Sequence, residues 1–495
     1  MPADDPGLKP AILAALAAAV EDLPEVRSAT LAGSFAAGTG LNGISDIDTI
    51  LVVDPLDGPG FARVQAAFRD RLAPVLAVTG WDLRINATLG PLKFNAERLA
   101  VLHLMCYSPE SHREHVINSP FTCLDWQRSP VWWRAPLGAV YPVFALQPRH
   151  FFGARRSAAD YLADLRAGVV SYRELDPDQG MREIKRGHPM AERDRHEFAY
   201  HILRFLMQNL LKLVRRENRC EDGEALREAF FAVFPDGAAE FAALHRELAV
   251  RKHAGDFSDP LPGLVDRVAA FAQAFERQFR AEFATGDRIA LVRHAPTALN
   301  GGSGGSAILQ GAGSDPDPLP IDPAAVAACA ARLGAVDRWL VSPLRRTVAT
   351  ARAIGATDAG MIREPRLVEI RYGACEGMSA AAAQATHPDL AAAWARGEDP
   401  AFPGGESSAA VRARALAVLA DAGPGTTVAV THNVVIRELV GHLMQVPAAG
   451  RWRLRVPHLV PVMLVRSRRF GWYVDLDEPA ERGLFSAFLD RSPRP

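Results

Sequence analysis

Residues 288–300 read RIALVRHAPTALN: an apolar run, residues 289–292, ends abruptly at Arg293-His294, and a proline and the glycine-rich loop Gly301 to Gly305 follow. A buried parallel strand delivers polar side chains to the carboxyl edge of a sheet in this way, and open α/β folds hold their ligands at that edge. Further along, SPLRRTVATA (342–351), VEIRYGACEG (368–377), PGGES (403–407) and VTHNVVIR (430–437) follow in order. Strand patterns at 289–292, 338–341 and 427–430 alternate with helical patterns at 323–333 and 344–354. That rhythm predicts a mostly parallel sheet covered on both faces, with each polar motif at a strand end or in the loop beyond it.

Together these segments resemble the histidine phosphatase superfamily, whose phosphoglycerate mutase branch shares the same core. The resemblance implies that His294 is the nucleophile, forming a phosphohistidine without metal. Arg293 and Arg346, with His432, would hold the phosphoryl oxygens, and Glu369 would protonate the leaving oxygen and then activate water. Thr297 and Asn300 also match the pattern after the nucleophile, Asn300 as a phosphate-binding residue. Two positions depart from it: Ala295 stands where glycine is usual, and Pro296 where an acidic residue is common. PGGES resembles the phosphatase branch, including alpha-ribazole phosphatases, more than the mutases, and so implies hydrolysis of a phosphate monoester.

At 495 residues the chain is too long for one ordinary core, so two or three domains are expected. The net charge of −1 and 48% apolar content point to no particular partner, and neither nucleic acid nor a membrane is expected as one. Five widely spaced cysteines without a Cys-x-x-Cys pair argue against a disulfide framework or structural zinc and for a reducing compartment. The apolar run 11–20 is too short to span a bilayer and lacks a basic cluster before it, so it reads as an amphipathic helix of a cytoplasmic protein.

Near the amino terminus, GSFAAGTGLNGISDIDTILVVD (33–54) gives a Gly-Ser turn, a loop, and then Asp46-x-Asp48 entering a second strand. Residues two apart in a strand share a face, so both carboxylates point the same way. Such pairs hold Mg2+ against nucleotide phosphates, because the hard ion prefers oxygen. Gly33 lets backbone approach a phosphate, and the Ser34 hydroxyl can bond it. This segment resembles the nucleotidyltransferase superfamily of aminoglycoside nucleotidyltransferases and DNA polymerase beta. The resemblance implies a nucleoside triphosphate, ATP first among them, a small-molecule acceptor, and a third carboxylate serving as metal ligand or base. Asp82, in WDLRINATL (81–89), is the candidate, with Glu110 and Asp125 as substitutes.

Between these segments, apolar residues recur three and four apart along 198–213, and helical runs follow at 225–234, 238–250 and 264–283. Residues 181–220 hold ten Lys and Arg against five Asp and Glu, and Lys185 and Arg186 are candidates to grip a triphosphate or an anionic acceptor. The expected architecture is therefore an α/β multidomain chain. It comprises a small α/β nucleotidyltransferase domain (1–148), a helical bundle that binds the acceptor (149–286), and a mostly parallel α/β sandwich of histidine phosphatase type (287–495). RNA end processing, and a degenerate regulatory role for one domain, stay open as alternatives. The sequence leaves the oligomeric state undetermined.

Overall fold

The computed structural model describes residues 7–38, 41, 45–92, 94, 98–154, 157–217, 221–300 and 308–488. The expected glycine-rich loop Gly301 to Gly305 and Cys220 lie outside the described residues. The chain forms two compact units, residues 1–146 with 150–276, and 147–149 with 277–495.

The first unit is built on a mixed five-stranded sheet of β1 (Val26–Ala32), β2 (Ser45–Val53), β3 (Asp82–Asn86), β4 (Leu99–Tyr107) and β5 (Trp132–Arg134), ordered β3-β4-β2-β1-β5. β2, β4 and β3 run parallel, and β1 is antiparallel to both β2 and β5. The helices Leu8–Glu21 and Gly58–Val78 cover one face, burying Ile12, Leu16, Phe68 and Leu72 against Ile47, Leu51 and Val53. Alternation turns Asp46, Asp48, Ile50 and Val52 to the other face, where Ile50 and Val52 pack with Met105, Tyr107 and Leu137. The two carboxylates thus extend beyond an apolar patch instead of lying in the helix-covered core.

The middle region is helical, with Glu192–Arg215, Gly223–Val233, Ala238–Ala254 and Leu264–Phe283 near their expected places. It also holds an unexpected antiparallel hairpin, β6 (Val169–Asp176) and β7 (Arg182–Pro189). The turn between its strands uses the short 3-10 helix Pro177–Gln179 and Gly180 at φ +67°, a left-handed conformation that glycine adopts at little cost.

The second unit holds a six-stranded sheet of β8 (Arg288–Arg293), β9 (Arg338–Val341), β10 (Met361–Arg363), β11 (Thr426–Thr431), β12 (Val462–Ser467) and β13 (Gly471–Val474). Their order is β10-β9-β11-β8-β12-β13. The first four are parallel, while β12 and β13 extend the sheet antiparallel at one edge. β8 and β11 are buried on both faces, as their unbroken apolar runs require. Among the described residues, no helix is long and apolar enough to cross a membrane.

Candidate functional site

In the first unit, β2 and β4 pair with Asp48 level with His103 and Asp46 level with Val101. The His103 ring lies between two acceptors, Nδ1 3.2 Å from Asp48 Oδ1 and Nε2 2.7 Å from the Thr88 carbonyl. Burial alone would lower its pKa, but the Asp48 hydrogen bond and the charges of Asp48 and Asp46 raise it overall. Asp46, Asp48 and His103 line a cavity of about 220 Å³ with Met105, Tyr107 and Arg173. Gly33 (φ +74°) stands against this pair: a β-carbon there would lie 2.2 Å from Asp48 Oδ2. Ser34 follows in the short helix Gly33–Ala37 and is exposed.

Asp82 is not brought to this cluster. It begins β3 level with Leu99, whereas His103 is level with Asn86. Asp82 is therefore two strands from β2 and about 13 Å short of Asp48 along the strand direction. Lys185 and Arg186 lie on the hairpin: Arg186 pairs with Glu174, and Lys185 borders a separate cavity of about 350 Å³ beside Asp160 and Asp164. Arg173, the register partner of Lys185, is the hairpin cation that borders both cavities. Among the described residues no group of three or more His, Cys, Asp or Glu forms a metal cluster, so the acidic pair stands as two carboxylates. Two carboxylates suit Mg2+, which completes its octahedron with waters and substrate phosphates.

In the second unit, β8 and β11 are in register with Arg293 level with Thr431, which brings the next residues, His294 and His432, side by side. Their ring centroids are 5.1 Å apart. The His294 N–H donates to the Thr431 carbonyl at 3.0 Å, and its Nδ1 donates to the Ala295 carbonyl at 2.7 Å. That bond leaves the proton on Nδ1 and the lone pair on Nε2. Burial, reinforced by Arg346, Arg293 and His458, holds the His294 pKa well below the ordinary imidazole value. The ring is therefore uncharged at neutral pH, with its Nε2 lone pair available.

Arg346 lies in the first turn of the helix Arg345–Ala353 and is fully buried, with Nη2 on the Gly311 carbonyl at 3.1 Å and Asp315 3.6 Å from Nη1. Arg293 is tied through Nη1 to the Val456 carbonyl at 2.8 Å, and burial lowers its pKa to about 10. His432 Nε2 lies 2.8 Å from Ser342 Oγ. Arg293 Nε, Arg346 Nε and His432 Nδ1 remain, all buried and without a hydrogen-bond partner among the described residues. Buried polar nitrogens left so are costly unless an anion meets them. Glu369 is buried, accepting from the N–H groups of Ile370 (3.0 Å) and Val434 (3.3 Å), and its pKa is raised because burial outweighs those bonds and the two arginines.

The model of the histidine phosphatase superfamily (branch 1) matches residues 289–476. This segment is a histidine phosphatase domain. Phosphoester hydrolysis through a phosphohistidine intermediate follows from that membership. No curated protein matches the chain. Similar solved structures include a mycobacterial glucosyl-3-phosphoglycerate phosphatase (26% identity, 38% of this chain and 98% of that one, TM-score 0.32). "Mycobacterial hydrolase 1" has 26% identity, covering 38% and 97%, with TM-score 0.32. A putative alpha-ribazole-5'-P phosphatase from Escherichia coli has 21% identity, covering 39% and 95%, with TM-score 0.34.

In the phosphatase domain, Ala295 is fully buried and its N–H donates to Thr350 Oγ1 at 2.8 Å, so the extra methyl packs into the core. Asn300 uses its carboxamide on Thr297 (2.8 and 3.0 Å) and Gln310 (3.1 Å), shaping the turn that follows His294. Two glycines bind the Glu369 loop to the PGGES loop. A β-carbon at Gly373 would lie 2.1 Å from the Pro403 carbonyl, and one at Gly405 2.2 Å from the Arg371 carbonyl. Sequence reasoning missed His458, whose Nδ1 donates to the His294 carbonyl and whose ring centroid lies 5.4 Å from that of His294. It also left unassigned Tyr372 and Arg437, which lie inside quoted motifs and beside Glu369.

Proposed function

We propose that the phosphatase domain hydrolyses phosphate monoesters with His294 as nucleophile and Glu369 as acid and base. The observation that carries this reading is the set of three buried nitrogens without a partner among the described residues, Arg293 Nε, Arg346 Nε and His432 Nδ1, around a histidine whose Nδ1 is engaged and whose Nε2 lone pair is available. With the Ser342 hydroxyl donating to Nε2, His432 Nδ1 carries the proton and donates to a phosphoryl oxygen. His294 Nε2 forms a bond to phosphorus as the ester P–O bond breaks, and protonated Glu369 gives its proton to the departing oxygen. Water then attacks phosphorus, loses a proton to Glu369, and the P–N bond breaks to release orthophosphate. The two guanidiniums and His432 face the charge that spreads over the equatorial oxygens.

We further propose that the first unit transfers a nucleotidyl group from a nucleoside triphosphate to a hydroxyl of a small molecule. Asp46 and Asp48, sharing one face of β2 with Gly33 against them, support it. They would hold Mg2+, which when bound offsets charge on the triphosphate. His103, bonded to Asp48, fixes that carboxylate, and Arg173 supplies a cation to the same cavity. One pathway served by both units accounts for their fusion: the acceptor, or its precursor, is the phosphate monoester.

The test is incubation of the full chain with Mg2+, each ribonucleoside triphosphate and a pooled metabolite extract, followed by mass spectrometry. The expected result is a nucleotide-linked product that vanishes in Asp48→Ala and a phosphorylated species that accumulates in His294→Ala. Orthophosphate release without any nucleotide-linked product would leave the phosphatase alone and remove the transferase reading.

A further inference from the structure

The helix Ala158–Ala167 and the β6–β7 hairpin border the cavity of about 350 Å³ in the first unit, apart from the acidic pair on β2. Ligand pockets run from about 300 to 1,000 Å³, so this one is sized for a small molecule rather than a whole nucleotide. Arg173 and Lys185 are directly opposite in the hairpin register, so their side chains leave one face with β-carbons about 5 Å apart. Like charges so placed repel. Glu183, two residues before Lys185 on that face, pairs with Arg173. Lys185 is exposed and has no ion pair or hydrogen bond among the described residues. One positive charge of the two is therefore left for an anion in the cavity.

The remaining lining is fixed in place and differs in chemistry. Asp164 Oδ2 accepts from both the N–H and the hydroxyl of Ser171, which leaves Oδ1 to accept from a ligand. The Tyr161 ring is set by Phe198 and His201, whose centroids lie 5.2 and 4.4 Å away. Arg173 is held by its backbone, which exchanges two hydrogen bonds with Leu89 at 2.7 and 2.9 Å. Leu89, Tyr161 and Arg173 also line the cavity of Asp46 and Asp48, so the two cavities share a wall.

A cation, a carboxylate oxygen and a phenol ring around one small cavity suit a molecule with an anion at one end, hydroxyls at the other and an apolar C–H face between them. We propose that this cavity binds a small sugar or polyol phosphate, its phosphate on Lys185 and Arg173 and a hydroxyl on Asp164, and that this molecule is the acceptor of the first unit. The acceptor role rests on the transferase reading above; the binding does not. In the transfer, a hydroxyl oxygen of the acceptor bonds to the α-phosphorus of the nucleoside triphosphate, the bond from that phosphorus to pyrophosphate breaks, and the hydroxyl proton goes to solvent. The acceptor's own phosphate ester stays intact.

The experiment is hydrogen–deuterium exchange of the full chain carrying His294→Ala, which removes the nucleophile of the other unit. The probes are glucose 6-phosphate, ribose 5-phosphate, glycerol 3-phosphate and myo-inositol 1-phosphate, with each parent polyol and inorganic phosphate as controls. At least one ester should protect peptides covering residues 158–189. Its parent polyol should need on the order of 10-fold more for the same protection, the size expected of a charged hydrogen bond. Lys185→Gln should bring that ratio below about 3, and Lys185→Arg should keep most of it. No protection of these peptides by any ester overturns the proposal, whether or not a variant folds. So does equal protection by inorganic phosphate alone, or a ratio unchanged in Lys185→Gln. Protection by an ester that Mg2+ and the four ribonucleoside triphosphates never convert to a nucleotide-linked product would keep the site and overturn its role as the acceptor site. A nucleotide-linked product on some other acceptor, with no ester protecting, would overturn this proposal and keep the transferase reading.

Discussion

The backbone N–H of His294 donates to the carbonyl of Thr431 at 3.0 Å, across two parallel strands buried on both faces. This bond continues the register of β8 and β11 one residue past their paired ends, so His294 and its neighbour His432 are held side by side by the sheet. The first prediction follows from it. His294→Ala should lower kcat on p-nitrophenyl phosphate by about 10³-fold or more, since His294 Nε2 is the attacking atom in the proposed mechanism. Rapid denaturing quench of wild type with 32P-labelled substrate should trap acid-labile, base-stable label, absent from His294→Ala. Label that survives acid would place the covalent step elsewhere.

A second prediction concerns Glu369. Burial holds its pKa above the ordinary carboxyl value, while the His294 pKa lies well below the ordinary imidazole value. In the proposed mechanism the productive form has His294 unprotonated and Glu369 protonated. The acid limb of kcat/KM should therefore fall below pH 6.5, and the alkaline limb should be set by ionisation of Glu369. Glu369→Gln should remove that alkaline limb and lower kcat on an alkyl phosphate by about 10²- to 10⁴-fold. On p-nitrophenyl phosphate, whose leaving oxygen needs no proton, the variant should give a stoichiometric burst and then slow turnover, because the later water attack still lacks its base. An unaltered alkaline limb would assign it to another group.

The loop pair around Glu369 yields a third prediction. The Ala374 N–H donates to the Pro403 carbonyl and the Glu406 N–H to the Arg371 carbonyl, both at 2.8 Å, so the two backbones run in contact. Gly405→Ala would force a β-carbon to 2.2 Å from Arg371 oxygen. Separation of the loops should cost about 1–3 kcal/mol of stability, as for other overpacked sites. Urea denaturation checks it. Because Arg371 is two residues from Glu369, kcat should fall too, while Gly404→Ala, with open space around its β-carbon, should show strain from its φ of +69° alone.

How much of this was readable beforehand depends on range. The β8 and β11 tips were legible because an apolar run followed by Arg-His or Thr-His is a local pattern whose placement parallel pairing dictates. Asp46 and Asp48 sharing a face followed from the two-residue period alone. What failed was register. Asp82 was favoured from alternation in β3, but the loop before β4 sets which residue stands level with Asp48, and it delivers Asn86 and His103 instead. His103 lies inside the apolar run VLHLMCY, a polar residue in a buried strand, and that was its only local signal. The β6–β7 hairpin was announced by the turn residues PDQG but hidden by the charge of its strands, and it moved Lys185 and Arg186 off a helix. His458 acts on His294 from 164 positions away, a separation no local pattern can bridge.

The last prediction concerns Asp48 and His103. The ring faces two acceptors, the Asp48 carboxylate and the Thr88 carbonyl, an arrangement that favours a proton on both nitrogens. Its pKa is raised although burial opposes that, with the Asp48 hydrogen bond and charge the largest favourable causes. Asp48→Asn keeps the shape and removes the charge, so the His103 pKa should fall, as read from its ring proton shifts by NMR titration. The sign of the stability effect is then fixed. A group whose folded pKa is raised contributes stability that is fully present below its unfolded value near 6.5, and loses it as pH rises through the folded value. The gap in unfolding free energy between wild type and Asp48→Asn should therefore be wider at pH 5.5 than at pH 8.5. A gap that widens as pH rises, or a His103 pKa indifferent to the substitution, would mean that the ring is neutral and that Asp48 is held by something other than its charge.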